Sequence, residues 1–145
     1  MDPIRIRIMA VDDHPLIRSG LRAVIASEPD MEMVGEAANG EEAIDRYREE
    51  RPDVVLMDLR MPVMDGLAAT LAILREFPDA KIVALTTYEG DEDIHRALSA
   101  GARGYLLKDM MRSQLLQVIR TVQKGQRAIQ RRSPPASPNT LRASS

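Results

Sequence analysis

Apolar and polar positions switch between two periods along this chain of 145 residues. Short apolar runs read as strands, and apolar residues three or four apart read as helix faces. Ile4–Val11 is the first strand, closed by Asp12-Asp13. Ile17, Leu21 and Val24 then recur at helical spacing behind Pro15, which suits a first helical turn. Met31–Ala37 is a second strand, with enough polar residues for a sheet edge. Asn39, with Glu42 three residues on, predicts a capping box ahead of Ala43, Ile44 and Tyr47. Val54–Asp58 is apolar until its last residue, as a strand buried on both faces should be. Leu67, Leu71 and Leu74 mark a third helix, and Lys81–Thr86 a fourth strand. Ile94, Ala97 and Leu98 mark a helix that stops near Gly101. Gly104–Lys108 is the fifth strand, and Leu115, Ile119 and Val122 mark a last helix ending near Gly125.

Five strand–helix pairs in succession predict an α/β, doubly wound, five-stranded parallel sheet with helices on both faces. The order 2-1-3-4-5 makes strands 1 and 3 neighbours at the switch point. Those are the strands that end in Asp12-Asp13 and Asp58. The expected unit is residues 1–125. Residues 126–145 are rich in Ser, Pro and Arg, with Ile129 and Leu141 as the large apolar residues. Such a stretch buries too little surface to offset its ordering entropy, so a disordered or loosely attached tail is expected, with no DNA-binding domain.

Composition narrows the function. Only 3% of residues are aromatic and there is no Trp, which argues against a base-stacking surface for nucleic acid. The absence of Cys excludes a thiolate metal site or a Cys nucleophile and suits a reducing compartment. No apolar stretch is long enough for a membrane span, and the expected location is the cytoplasm. The tail holds four arginines and no acid, so the net charge of −2 divides into +4 there and −6 in the rest. An acidic body is a poor platform for phosphate backbones and a good host for a hard cation.

The carboxyl ends of parallel strands share one rim, where ligands bind in open α/β sheets. Asp12, Asp13, Asp58, Thr86 and Lys108 all fall at that rim. Three clustered carboxylates repel one another and either take up a proton or bind a cation. An all-oxygen set at a solvent-facing rim suits Mg²⁺, with Mn²⁺ as a substitute. Such a site can carry phosphoryl transfer to a carboxylate. Asp58 would be the nucleophile, and Lys108 and Thr86 would bind the transferred oxygens. In the loop Leu59–Gly66, Pro62 stiffens and Gly66 turns the chain. Asp65 reads as a cap, His14 as a helix-start residue and Met57, Met61 and Met64 as gap-filling apolar residues.

Val11-Asp12-Asp13-His14-Pro15, Pro52–Pro62, Asp65-Gly66, Thr86 and Gly104-Tyr105-Leu106-Leu107-Lys108-Asp109 match in order the receiver domain of bacterial two-component response regulators. The Asp-Asp-His-Pro opening and the Gly-Tyr-Leu-Leu-Lys-Asp ending resemble the NarL/FixJ (LuxR-type) group. The resemblance covers residues 4–125 and implies a flavodoxin-like fold. It implies Asp58 as phospho-acceptor, Asp13, Asp58 and the Arg60 carbonyl as Mg²⁺ ligands, and Asp12 acting through water. It implies Thr86 and Tyr105 as the switch pair, with Tyr105 turning inward on phosphorylation, and Lys108 as the phosphate-binding lysine. The implied partner is a sensor histidine kinase, with homodimer formation on phosphorylation and transcription control in the full-length family. A protein of this kind promotes its own phosphorylation and is not otherwise an enzyme. Asp109 stands where many receivers have a proline after the lysine. Residues 131–138 do not look like the linker to the group's helix-turn-helix domain. A phosphatase would want an acid where Arg60 stands, and a flavin or nucleotide module would want a Gly-rich loop where the Asp pair stands. A receiver-like interaction module no longer regulated by phosphorylation is the remaining alternative.

Overall fold

The apolar runs pair side by side and all in parallel. The computed structural model describes residues 5–87 and 92–129. Its strands are β1 (Ile6–Val11), β2 (Met31–Ala37), β3 (Val54–Asp58), β4 (Ile82–Thr86), β5 (Gly104–Leu107) and β6 (Ala128–Ile129). Its helices are α1 (Pro15–Ala26), α2 (Gly40–Glu50), α3 (Gly66–Glu76), α4 (Glu92–Ala100) and α5 (Met111–Gln123). The sheet order is β2-β1-β3-β4-β5-β6. The first five strands therefore stand in the expected order 2-1-3-4-5, the flavodoxin-like arrangement, with β2 at an edge.

Alternation along the central strands divides the core between the two faces. Ile8 and Ala10 of β1 join Leu56, Leu85 and Leu106 on the side covered by α1 and α5, with Ile25, Leu115 and Ile119. Met9 and Val11 join Val55 and Met57 on the other side, under Ala43 and Tyr47 of α2 and Ile73 of α3. Tyr105 and Leu107 of β5 pack there against Ile94 and Ala97 of α4. Central residues such as Ile8, Leu56 and Leu85 are fully buried, each such side chain contributing roughly 1.5–3 kcal/mol. That two-sided burial makes β3 and β4 continuously apolar until the rim.

Helix starts follow local chemistry. The Asn39 side chain accepts from Glu42 N–H at 3.0 Å, and Glu42 reaches back to Ala38 N–H at 2.9 Å, one residue beyond the usual box partner. Asp65 caps α3 by accepting from Ala68 N–H at 2.8 Å.

Two boundaries differ from expectation. Lys108 does not continue β5 but begins a 3₁₀ turn, Lys108–Met110; no described peptide bond is cis. The chain also remains attached beyond residue 125. Gly125 adopts φ +89, a left-handed stop suited to glycine, and Gln126 N–H bonds back to Thr121 O. Ala128 N–H then bonds Arg103 O at 2.9 Å, and Ala128 and Ile129 align with Gly104 and Tyr105. A Cβ at Gly104 would stand 1.8 Å from the Ala128 carbonyl oxygen, so the missing side chain admits β6. The expectation of a loose tail from 126 is thus corrected: Gln126 bonds back to α5, and Ala128–Ile129 form the edge strand. Its remainder, 130–145, lies outside the described residues.

Candidate functional site

Register carries the acids to one place. Val11 pairs with Met57, so the next residues, Asp12 and Asp58, leave neighbouring strands at the same level. Thr86 pairs with Leu107, the residue before Lys108. Ligand atoms of Asp12, Asp13, His14 and Asp58 all lie within 4.8 Å of one another. Lys108 Nζ stands 2.9 Å from Asp12 Oδ2 and 3.2 Å from Asp58 Oδ2. Asp12, Asp58 and Thr86 are buried polar residues, at 0%, 3% and 4% exposure, in a chain whose buried positions are almost all apolar.

The loop after β3 is held tightly against the acceptor. Arg60 N–H donates to Asp58 Oδ1 at 3.3 Å, and the Arg60 guanidinium ion-pairs with Asp93 of α4 at 3.2 Å. Leu59 N–H bonds Leu85 O, which extends the β3–β4 pairing past Asp58. Arg18 of α1 donates to the Asp12 carbonyl oxygen. Gly66 is a glycine for a reason other than turning. A Cβ there would stand 2.0 Å from the Asp58 carbonyl oxygen, and its φ is not positive. The left-handed residue of the loop is Val63, at φ +68 and 74% exposed, an uncommon conformation for a β-branched side chain.

Electrostatics follow from burial and crowding. Burial, and then Asp12, push the Asp58 carboxyl above its ordinary pKa; Lys108 and the Arg60 N–H offset only part of this. Burial pulls the Lys108 ammonium down, but Asp12 and Asp58 outweigh it and keep it charged above the usual lysine range. Asp12 Oδ2, Asp13 Oδ1 and Asp58 Oδ2 are buried, and their contacts are ion pairs, the first and last with the Lys108 ammonium and the second with the His14 ring. The ammonium neutralises two of them without saturating their lone pairs. Buried carboxylate oxygens with open lone pairs are what a hard divalent cation needs, so the donor set fits Mg²⁺.

Of the residues singled out in the sequence, Asp12, Asp13, Asp58 and Lys108 converge directly. Thr86 is buried at the end of β4, beside Leu107 and one residue from the lysine. Arg60 is placed by its backbone beside the Asp58 carboxylate. Tyr105 already lies inside, 4% exposed, against Ile94 and Ala97, rather than waiting outside to turn inward. His14 begins α1, as expected, but its side chain makes no cap bond. The imidazole turns to the acids instead, with Nδ1 2.8 Å from Asp12 Oδ1 and 3.3 Å from Asp13 Oδ1. A hydrogen bond to Asp12, and then its charge and that of Asp13, raise the imidazole pKa. No periodicity announces that orientation; position next to Asp13 was its only signal.

Comparison with known proteins agrees with this geometry. Residues 8–120 match the family model of the response regulator receiver domain. The chain is 46% identical over 124 residues to the response regulator GacA of Pseudomonas viridiflava, covering 86% of this chain and 58% of that protein. It is 42% identical over 121 residues to the transcriptional regulatory protein LiaR of Bacillus subtilis, covering 83% and 57%. It thus spans somewhat over half the length of the curated relatives it matches. A two-component response regulator of the LuxR family from Aurantimonas sp. SI85-9A1 superposes with a TM-score of 0.81 at 38% identity, covering 95% of this chain and 94% of that one. The receiver domain of the NarL regulator from Mycobacterium tuberculosis gives 0.79 at 33% identity, covering 86% and 100%. Rim, strand order and relatives converge on one assignment: the chain belongs to the response regulator receiver domains, of the NarL/FixJ type.

Proposed function

We propose that Asp58 accepts a phosphoryl group from a phosphohistidine of a sensor kinase and that the resulting acyl phosphate switches the partner-binding face of the domain. A carboxylate oxygen of Asp58 forms the new bond to phosphorus as the phosphorus–nitrogen bond breaks, and the electron pair leaves with the imidazole, which takes a proton. Asp13, Asp58 and the Arg60 carbonyl would hold Mg²⁺, with Asp12 acting through water. Bound there, the cation supplies charge neutralisation for the transferred oxygens. Lys108 Nζ, 3.2 Å from Asp58 Oδ2, would hold a phosphoryl oxygen, and the Thr86 hydroxyl would hold another. Phosphorylation is then the chain's own modification, with no other substrate turned over.

The switch is a shift between populations rather than a new fold. Tyr105 packs inward beside α4, so a phosphoryl group that draws Thr86 toward Asp58 would favour this inward arrangement. The face formed by α4, β5 and α5 would then change its affinity for a partner, including a second copy of the chain. In a full-length regulator the output would be transcription control in the cytoplasm. No helix among the described residues is long and apolar enough to cross a membrane.

The observation that carries this reading is the buried Asp58 carboxylate, flanked by an ammonium and by acid oxygens with open lone pairs. The test is intact mass after incubation with a small acyl phosphate and Mg²⁺. A gain of ~80 Da, absent in Asp58→Asn, is expected. An unchanged mass would return the alternative of an interaction module that no longer takes phosphate.

A further inference from the structure

His14 has no part in the phosphoryl chemistry, yet it is built into the acid cluster. Helix-start side chains commonly accept a hydrogen bond from the first turn; the His14 side chain does not, and only its carbonyl oxygen takes up the Ile17 and Arg18 N–H groups. Its backbone is extended, at φ −97 and ψ 111, as Pro15 behind it favours. Its own N–H donates to Asp12 Oδ1 at 2.9 Å, so the backbone is fixed and rotation of the side chain decides where the ring points. The ring lies over the acids, bridging Asp12 Oδ1 and Asp13 Oδ1, while 62% of the side chain stays exposed. It is thus adjacent to the carboxylates, held by them, and still open to solvent on its outer side.

Two further observations mark the cluster as a ligand set. Asp12 and Asp58 have side chains only 0% and 5% exposed, and the Oδ2 atom of each faces the single Lys108 ammonium, which leaves a lone pair on each open. One atom from each of three acids and one imidazole nitrogen fit within 4.8 Å. Carboxylates alone suit Mg²⁺. An imidazole nitrogen adds little for that hard ion and much for Co²⁺ and Ni²⁺, which bind nitrogen more strongly.

We propose that His14 supplies a nitrogen donor to the cation held by Asp13 and Asp58, and so tilts the preference of the site from Mg²⁺ toward first-row transition dications. The proposal rests on the reading of the acid cluster as a cation site. His14 is then a residue that sets metal choice, apart from the groups that handle phosphate.

The test is calorimetric titration of the full chain with Mg²⁺, Co²⁺ and Ni²⁺, for the natural sequence, His14→Ala, His14→Asn and Asp13→Asn. Asn is itself a good helix cap, so His14→Asn keeps the α1 start intact. Both His14 variants should bind Ni²⁺ and Co²⁺ about tenfold or more weakly, with Mg²⁺ affinity unchanged. The visible absorption of bound Co²⁺ should also change when the nitrogen is lost. Asp13→Asn should weaken all three ions, which separates this site from adventitious binding at His95. Equal changes for Mg²⁺ and Ni²⁺ in the His14 variants would overturn the proposal, because the ring would then be a competitor or a support. So would no change for either. If the natural chain binds none of the three ions, the cation reading of the acid cluster fails and the His14 proposal falls with it, an outcome distinct from unaltered selectivity.

Discussion

In the absence of divalent cations, Asp58→Asn should make the protein more stable. The Asp12 and Asp58 ligand oxygens lie within 4.8 Å, a repulsion of about 3.5 kcal/mol at an effective dielectric of 20. Lys108, 3.2 Å from Asp58, returns about 5 kcal/mol on the same footing. Of these two terms the lysine's is larger by about 1–2 kcal/mol, and Asp13, with an oxygen also within 4.8 Å, works against it. Removing a carboxylate from water costs several kcal/mol more, and the Asp58 side chain is only 5% exposed. The raised pKa of Asp58, with burial as its first cause, has the same sign. Asparagine keeps the shape and still accepts from Arg60 N–H, and Lys108 keeps Asp12 at 2.9 Å. A gain on the order of 2 kcal/mol follows, about 5–8 °C in a thermal melt at pH 7 with chelator. Mg²⁺ should reverse part of it. At ten times its dissociation constant it stabilises the natural chain by about 1.4 kcal/mol, and a variant lacking one ligand by much less. A variant no more stable than the natural chain in chelator would refute the claim that Asp58 is held charged against its own burial.

Gly66→Ala should cost more than about 3 kcal/mol in a denaturant titration, because its Cβ meets the Asp58 carbonyl at 2.0 Å and both are backbone-bound. Gly104→Ala should instead release β6. The Ala128 amide should lose its protection from hydrogen exchange while β1 and β3 keep theirs, since the clash is confined to the Ala128 carbonyl at the sheet edge. Glu36 accepts from Arg22 at 2.7 Å, and Arg22, then Arg18, hold its carboxyl below the ordinary glutamate pKa. Its contribution is therefore complete above that ordinary value and lost as pH falls through the lowered one. The stability difference between the natural chain and Glu36→Gln should be flat near pH 7, begin to shrink as pH nears the ordinary glutamate value of about 4.3, and be lost only below the lowered one. Val63→Asn should raise stability by roughly 1 kcal/mol, read as a higher melting temperature, since asparagine tolerates the left-handed region that strains valine at φ +68.

The rim was legible because of a contrast in the sequence. A strand buried on both faces cannot carry a charge along its length, so Val54–Met57 announces that Asp58 stands at the strand's end, on the rim of the sheet. The same holds for Val11 before Asp12-Asp13 and Leu85 before Thr86. Strand order then followed from the doubly wound arrangement favoured for five strand–helix pairs, and the pairing of Val11 with Met57 brings the acids level.

What the sequence hid depends on contacts between distant backbones and on rotations about side-chain bonds. Residues 126–129 carry no strand period, and the pairing of Ala128 and Ile129 with β5 depends on the space left by the missing Cβ of Gly104, more than twenty residues away. Gly66 reads as a turn former, yet its role is close approach to Asp58; composition gives both roles the same letter. The inward Tyr105 was hidden because every residue of β5 is buried, so alternation there cannot tell a switch position from plain packing. His14 is the sharpest case. Its place in the sequence fixes its backbone at the helix start, while Asp12 and Asp13 fix its ring, and only the second fact bears on the metal. A lone histidine beside paired acids is therefore better judged by whether its backbone is already pinned, here by Pro15 and the Asp12 carboxylate. If it is, the side chain has little to do but face the charge beside it.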